Sequence, residues 1–224
     1  MAELVTSFDD AWRGFLARDA LLIAEGAIGP EWAQGRAQLL AVLARVEDPR
    51  ARAHVAGVIE GLADIPGVEP YPEWYWHATV KAAGFQVIKR TRDDDILRQD
   101  VPRLIGQAQI GLVNAFAGGL FVEVSDGGRL RALNERLIDG VPELRRYPLE
   151  GERFLPHVSI ARFTSNEGLE QLKARLRELR SAGPGPSFPV RRVEFVRAWL
   201  SEETPEFDTL ATYPLAASPA GGAP

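Results

Sequence analysis

The sequence of 224 residues contains no cysteine. This absence excludes disulfide bonds, thiolate zinc sites and a cysteine nucleophile, and it is compatible with a reducing compartment. No apolar run approaches the roughly 20 residues that a bilayer-spanning helix requires. The first residues, MAELVTSFDDAW, also lack the basic start and the apolar core of a secretory signal. We therefore expect a cytoplasmic protein that has no membrane partner.

Several functional signatures are missing as well. The sequence has no GxxxxGK(S/T) phosphate loop and no GxSxG elbow, which argues against a P-loop enzyme and a serine hydrolase. The net charge of -5 argues against binding to a long nucleic-acid duplex, because a basic face normally neutralises the phosphates of such a polymer. Without thiolates metal chemistry is disfavoured, and we predict neither a metal nor another cofactor.

The composition is that of a folded globular chain, with 46% hydrophobic and 25% charged residues. Apolar residues at helical spacing predict helices at 7–26, 47–62, around 94–106, 128–141 and 166–183, with Ser7 and Asn166 as candidate N-caps. His54 lies in the second of these helices and is expected to be exposed or half-packed. The run QLLAVLARV (38–46) favours a helix by propensity, but periodicity cannot settle so short an apolar run.

Runs of β-branched and aromatic residues predict strands at WYWHATVK (74–81) and FLPHVSIARF (154–163). Two apolar runs separated by Gly118 and Gly119 predict a hairpin, and 189–201 is predicted to pair with 207–215. The tail 216–224 has nothing to bury and is predicted to be disordered. Helices mixed with hairpin-joined strands indicate the α+β class, with antiparallel sheets backed by helices.

Two of the three histidines occur in the same local pattern. The segments His77-Ala78-Thr79-Val80 and His157-Val158-Ser159-Ile160 each place a hydroxyl residue two positions after the histidine. Because side chains alternate faces along a strand, each histidine shares a face with its hydroxyl residue. Two imidazoles with ordinary pKa values of about 6.5 can divide acid and base roles on one phosphoester, while the hydroxyls hydrogen-bond its non-bridging oxygens. Such a site resembles that of a metal-independent phosphodiesterase.

The same alternation places further candidates for substrate binding. Lys81 shares the face of His77 and could reach the phosphate, although a lysine that extends to solvent from a strand end is an equal alternative. Arg153 falls on the face of His157, whereas Arg162 falls on the opposite face. Phe85 is a candidate for stacking a base, beside the commoner role of such aromatics in a core.

The doubled motif resembles the paired H-x-(S/T)-Φ signature of the 2H phosphoesterase superfamily, which contains the LigT-like RNA 2′,3′-cyclic phosphodiesterases, also called 2′-5′ RNA ligases. The resemblance covers about residues 37–215 and leaves 1–36 as an N-terminal helical extension. It implies a bilobal LigT-like fold with two pseudo-symmetric lobes around a central cleft, in which QLLAVLARV is the first strand. It also implies that His77 and His157 are the acid/base pair and that Thr79 and Ser159 hold the scissile phosphate.

The activity implied by this resemblance is hydrolysis of a 2′,3′-cyclic phosphate, or of a 2′-5′ phosphodiester, on a nucleotide or an RNA end. The expected partner is a nucleotide or a short RNA, and the expected enzyme is a monomer; which histidine acts as the base stays open. One alternative is a non-catalytic module that uses the cleft to bind a phosphorylated ligand. Another is an interaction protein whose N-terminal helix docks a partner.

Overall fold

The computed structural model describes residues 7–23, 33–87, 95–97, 108–116, 118–140, 154–200 and 204–214. Within these ranges the helices are α1 (Phe8–Leu16), α2 (Pro49–Glu60), α3 (Arg129–Gly140) and α4 (Leu169–Ser181). The strands are β1 (Gln38–Arg45), β2 (Val68–Pro70), β3 (His77–Val87), β4 (Asp95–Leu97), β5 (Ala108–Phe116), β6 (Gly119–Ser125), β7 (His157–Phe163), β8 (Ser187–Phe188), β9 (Arg192–Trp199) and β10 (Glu206–Pro214). No helix among these is both long and apolar enough to cross a membrane.

The described strands form a single sheet in the order β10-β9-β1-β3-β7-β6-β5-β8. We call β10, β9, β1 and β3 the first lobe, and β7, β6, β5 and β8 the second lobe. Neighbours along this path pair antiparallel, whereas the short β4 pairs parallel with β3, and β2 pairs antiparallel with β7. The two lobes join through one residue pair, Ala78 opposite Val158. The predicted α+β class, with two antiparallel lobes backed by helices, is confirmed.

One face of the sheet carries the main hydrophobic core, which runs through both lobes. Strand residues such as Val42 and Ile160 are almost fully buried there against helix residues such as Leu133. Helix α3 also bonds the backbone of the first lobe, because Asn134 Nδ2 donates a 2.9 Å hydrogen bond to the carbonyl oxygen of Val80. A helix from the second half of the chain therefore supports the strand that carries the first histidine.

Helix α1 begins as predicted, with Ser7 Oγ accepting from the backbone N–H of Asp10, but it ends at Leu16 rather than near residue 26. The chain beyond it is bonded to other elements instead of continuing the helix. Lys173 Nζ donates to Arg18 O at 2.7 Å, and the N–H of Leu21 donates to Asn166 Oδ1 at 2.5 Å. Helix α4 begins at Leu169 and its N-cap residue is Gly168. The prediction that Asn166 caps this helix is therefore wrong, and its side chain bonds the N-terminal segment instead.

Other predictions had mixed outcomes. The undecided run 38–46 is strand β1, enclosed between β3 and β9. Helix α2 begins after Asp48, whose carboxylate accepts from two backbone N–H groups, and His54 is half-buried on it. The helix predicted around 94–106 is wrong at 95–97, which form β4, and its other residues lie outside the described ranges, as does the tail 216–224.

Candidate active site

The four motif side chains share one face of the sheet at the junction of the lobes. Ala78 and Val158 face each other across this junction and are both buried in the main core. Because successive side chains alternate, the residues on either side of each lie on the opposite face. His77 and Thr79 from β3 thus meet His157 and Ser159 from β7 on the face away from the core.

Both motif strands contain a bulge directly after the hydroxyl residue. On β3, Thr79 pairs with Leu43 and Lys81 pairs with Val42, so Val80 is an extra residue. On β7, Ser159 pairs with Phe121 and Ala161 with Leu120, so Ile160 is extra in the same way. Both extra residues are fully buried in the core. The apolar fourth residue of each motif is thus the bulge residue, and the bulge reverses the alternation of the residues that follow it. On β3 this holds as far as a second irregularity, where Ala83 is extra between Ala82 and Gly84.

The two imidazoles are held in the same tautomer by their own backbone. The Nδ1–H of His77 donates to Tyr75 O, and the Nδ1–H of His157 donates to Leu155 O at 2.7 Å. Each acceptor lies two residues before the histidine. Since Nδ1 is committed to a carbonyl, Nε2 is the nitrogen of each ring that can exchange a proton with a substrate.

His77 lies in an aromatic and cationic environment. Its side chain is 8% exposed, and its ring contacts Tyr75 and Phe207 edge-on, with ring centroids 5.0 and 5.1 Å apart. Arg45 lies directly opposite His77 on β1. Burial lowers the pKa of His77 to about 3, the hydrogen bond to Tyr75 opposes this change, and the charges of Arg45 and His157 add to it. His77 is therefore neutral at physiological pH.

His157 is half-buried among different neighbours. Its ring centroid lies 5.2 Å from that of Phe116 and 5.1 Å from that of Phe121. The residue opposite it on β6 is Glu123, a carboxylate, where His77 has a guanidinium. Burial lowers the pKa of His157, and the hydrogen bond to Leu155 opposes this effect. No cation is among the causes of this lowering, whereas the charge of Arg45 adds to the lowering at His77.

The structure contradicts the interpretation of two of the three predicted substrate-binding residues. Lys81 does not share the face of His77, because the bulge at Val80 pairs it with core residue Val42, and it is fully buried rather than extended to solvent. Phe85 is fully buried and packs under the guanidinium of Arg36, whose central carbon lies 3.7 Å from the ring centroid. Both side chains are thus enclosed in the fold, while Arg153 lies outside the described residues.

Arg162 is a candidate that sequence reasoning assigned to the wrong face. Simple alternation from His157 places it opposite, but the bulge at Ile160 brings it back to the face of His157 and Ser159. Its guanidinium is almost buried and bonds Glu69 Oε1 of β2 at 2.8 Å. The signal that could have found Arg162 is the likeness of the segments HATVKA and HVSIAR, because both carry the same bulge.

A pocket of about 370 Å³ flanks the His77 side of this centre. It is lined by Phe207 and Trp74, and by Arg45 paired with Glu194 at 3.2 Å. Arg52 and Glu73 at its rim are likewise paired, at 2.5 Å. Over the described ranges, no three His, Asp or Glu side chains are grouped as metal ligands would be.

The model of the 2′-5′ RNA ligase superfamily matches residues 47–198. No curated protein matches the sequence.

Three solved structures share the fold at low sequence identity. TT0787 of Thermus thermophilus is 20% identical with a TM-score of 0.56, covering 79% of this chain and 97% of its own. ATU0111 of Agrobacterium tumefaciens, described as a conserved protein of unknown function, is 16% identical with a TM-score of 0.54, covering 78% and 85%. LigT of E. coli, crystallised with 3′-AMP, is 13% identical with a TM-score of 0.55, covering 81% and 99%.

Proposed function

Because the chain belongs to the 2′-5′ RNA ligase superfamily of 2H phosphoesterases, we propose that it hydrolyses the 2′,3′-cyclic phosphate of a nucleotide or of a short RNA end. The observation that carries this proposal is the convergence of both motifs on one face at the single pair between Ala78 and Val158. Two imidazoles with the same tautomer and two hydroxyls can then flank one phosphate. The reaction uses His77, His157, Thr79 and Ser159 and needs no cofactor.

The different neighbours of the histidines support different roles. His77, held neutral by burial and by the charge of Arg45, is the general base: its Nε2 removes a proton from water as the water oxygen bonds to phosphorus. His157, which faces the carboxylate of Glu123 across the strands, is the general acid: its Nε2 gives a proton to the ribose oxygen as the bond from phosphorus to that oxygen breaks. The products are a phosphomonoester and a free ribose hydroxyl.

The hydroxyls and Arg162 balance the charge that develops on the phosphate. Thr79 and Ser159 can each donate a hydrogen bond to a non-bridging oxygen. Arg162 lies on the same face and can add a charge-assisted bond, with Glu69 keeping its guanidinium in place. These assignments put most of the positive charge for the phosphate in the second lobe.

The charges around the centre support a short substrate. The two guanidinium groups that neighbour the motif residues, Arg45 and Arg162, are each paired with a glutamate. A long polyanion is normally bound by unbalanced positive charge, and the overall charge of -5 adds repulsion. A cyclic mononucleotide or the last few residues of an RNA fits this balance better.

The direct test is hydrolysis of 2′,3′-cyclic mononucleotides, and of a short RNA with a cyclic phosphate end, in the presence of EDTA. We expect turnover by the natural protein, and none by a variant in which His77 and His157 are both replaced by alanine. Identification of the product isomer then tells which ribose oxygen leaves.

Binding of a cyclic nucleotide without hydrolysis would support the alternative, a non-catalytic binding module. In that case the natural protein binds a cyclic nucleotide in a calorimetric titration, yet hydrolyses none of the substrates. Monomeric state and cytoplasmic location stay predictions, which gel filtration and fractionation of the source cells would check.

A further inference from the structure

We propose that Glu123 is a positioning residue for His157, held in place by Arg180 and by helix α1. This inference rests on the proposed function, because it concerns how one of the two proposed catalytic histidines is held in position. It assigns a role to a helix that lies outside residues 47–198, the part matched by the family model.

Glu123 lies where it can act on His157. The two residues are direct partners across β6 and β7, so their Cβ atoms are about 5 Å apart on the same face of the sheet. The Glu123 side chain is 12% exposed. Arg180 Nη1 and Asn114 Nδ2 both donate to its Oε1, each at 2.8 Å. A nearly buried carboxylate next to a catalytic imidazole is thus oriented by two donors.

Helix α1 closes this network from outside. The guanidinium carbon of Arg180 lies 4.6 Å from the ring centroid of Trp12, and Arg180 Nη1 also donates to Val113 O at 2.7 Å. Asn114 Nδ2 donates to Phe8 O at 2.9 Å as well as to Glu123. Both donors that orient Glu123 are therefore themselves held by α1.

A second line of contact reaches the imidazole through aromatic rings. The ring of Phe8 lies 6.1 Å from that of Phe121, which lies 5.1 Å from the ring of His157. Phe121 also stacks on Phe116 at 4.3 Å. The chain just after α1 is bonded by Lys173 and Asn166. These bonds fix the position of α1 relative to the second lobe, which carries His157. The apolar face of α1 is used in this packing, which argues against the interaction-protein alternative.

The charged groups that neighbour His157 determine what the test should show. His77 faces it from β3, Glu123 from β6, and Arg180 stands behind Glu123 from α4; Asn114, Phe116 and Phe121 are uncharged. From its place opposite the ring we expect the carboxylate of Glu123 to favour the imidazolium, and the paired Arg180 to offset part of that effect. Removing one partner of this ion pair should therefore shift the titration of His157 in the opposite direction from removing the other.

The experiment is an NMR titration of the His157 ring in the full chain, with the resonance assigned by its loss in His157→Gln. We expect Arg180→Met to raise the pKa of His157 and Glu123→Gln to lower it, each by about 0.5 to 1 pH unit. Trp12→Leu should shift it in the direction of Arg180→Met but by less. Arg175→Met is the matched control, because Arg175 lies on the same helix but pairs with Asp64 on the far side.

Shifts of the same sign in both variants, or none above roughly 0.2 pH unit, would overturn the inference and leave α1 as packing only. Glu123→Gln preserves the shape of the side chain, so the test stands even if Arg180→Met does not fold. The titration needs no turnover. If the opposite shifts occur but no cyclic phosphate is hydrolysed, the proposed function fails and the role of Glu123 as a support for His157 remains.

Discussion

Strands β3 and β7 carry the same local structure in different surroundings. Each has a histidine whose Nδ1–H bonds the carbonyl two residues earlier, a hydroxyl residue on the same face and a bulge one residue further. The cross-strand neighbour differs: Arg45 stands opposite His77, and Glu123 stands opposite His157. The repeated backbone sets where the two rings lie. Burial lowers the pKa of both rings, and the charge of Arg45 adds to the lowering only at His77.

A second difference lies beyond the bulges. On β7 the residue that returns to the face of the histidine is Arg162, whereas the equivalent residue on β3 is Ala82, opposite Ala41. The first lobe thus supplies a neutral imidazole without a guanidinium at this position. The second lobe supplies an imidazole that faces a carboxylate, together with a cation. We infer that the two lobes have nearly the same backbone but different roles: the first lobe supplies the base, and the second lobe supplies the cation that binds the phosphate.

The largest expected effect comes from removing either histidine. His77→Gln and His157→Gln should each lower kcat/KM for a cyclic mononucleotide by about 10² to 10⁴. With His77 as the base, its replacement should abolish the acidic limb of the pH profile, and replacement of His157 should abolish the basic limb. Measurement of kcat/KM against pH for residual activity checks this, and the reverse pattern would exchange the two roles.

The next largest effect tests the role of Arg162, which β7 has where β3 has Ala82. Arg162→Met should lower kcat/KM by about 10- to 100-fold, because a charge-assisted hydrogen bond of roughly 1.5–3 kcal/mol to the phosphate is lost. Glu69→Gln keeps the guanidinium and should cost much less. Equal losses in the two variants would mean that Arg162 serves the packing of β2 on β7 rather than the substrate.

A stability measurement tests the burial of the His77 ring. The pKa of His77 is about 3 in the folded chain and about 6.5 in an unfolded one. The unfolded state therefore binds more protons between these values, and stability falls as the pH drops from about 6.5, by up to about 1.4 kcal/mol per pH unit. His77→Gln should flatten this dependence in urea unfolding between about pH 7 and 4. The same slope in both proteins would contradict the burial of a neutral ring.

The smallest effect comes from exchanging the two hydroxyl residues. Thr79→Ser and Ser159→Thr each change one methyl group and keep the hydroxyl. We expect kcat/KM to stay within about threefold, whereas Thr79→Ala and Ser159→Ala should lose about 10² if each hydroxyl bonds the phosphate in the transition state. Alanine variants that keep full activity would remove the hydroxyls from the mechanism.

Much of the fold was predictable because its signals are local. The amphipathic pattern of α2 and α4, the hairpin at Gly118 and Gly119, and the last strand pair are all found near their predicted positions. The end of α1 was not predictable, since it depends on Lys173 and Asn166, which are distant in the sequence. The short β4 likewise depends on pairing with β3, which overrides the helical pattern around it.

The sequence by itself determined the two pairs of histidine and hydroxyl, because a spacing of two puts side chains on one face of any regular strand. It also determined the α+β class, since the apolar residues recur with the periods of helix and strand. Only the tertiary structure decided which other side chains join them. The bulges at Val80 and Ile160 bury Lys81 and bring Arg162 to the site, because an extra residue reverses the alternation beyond it. The proton affinities of His77 and His157 were likewise decided by neighbours on other strands, which no spacing within either motif records.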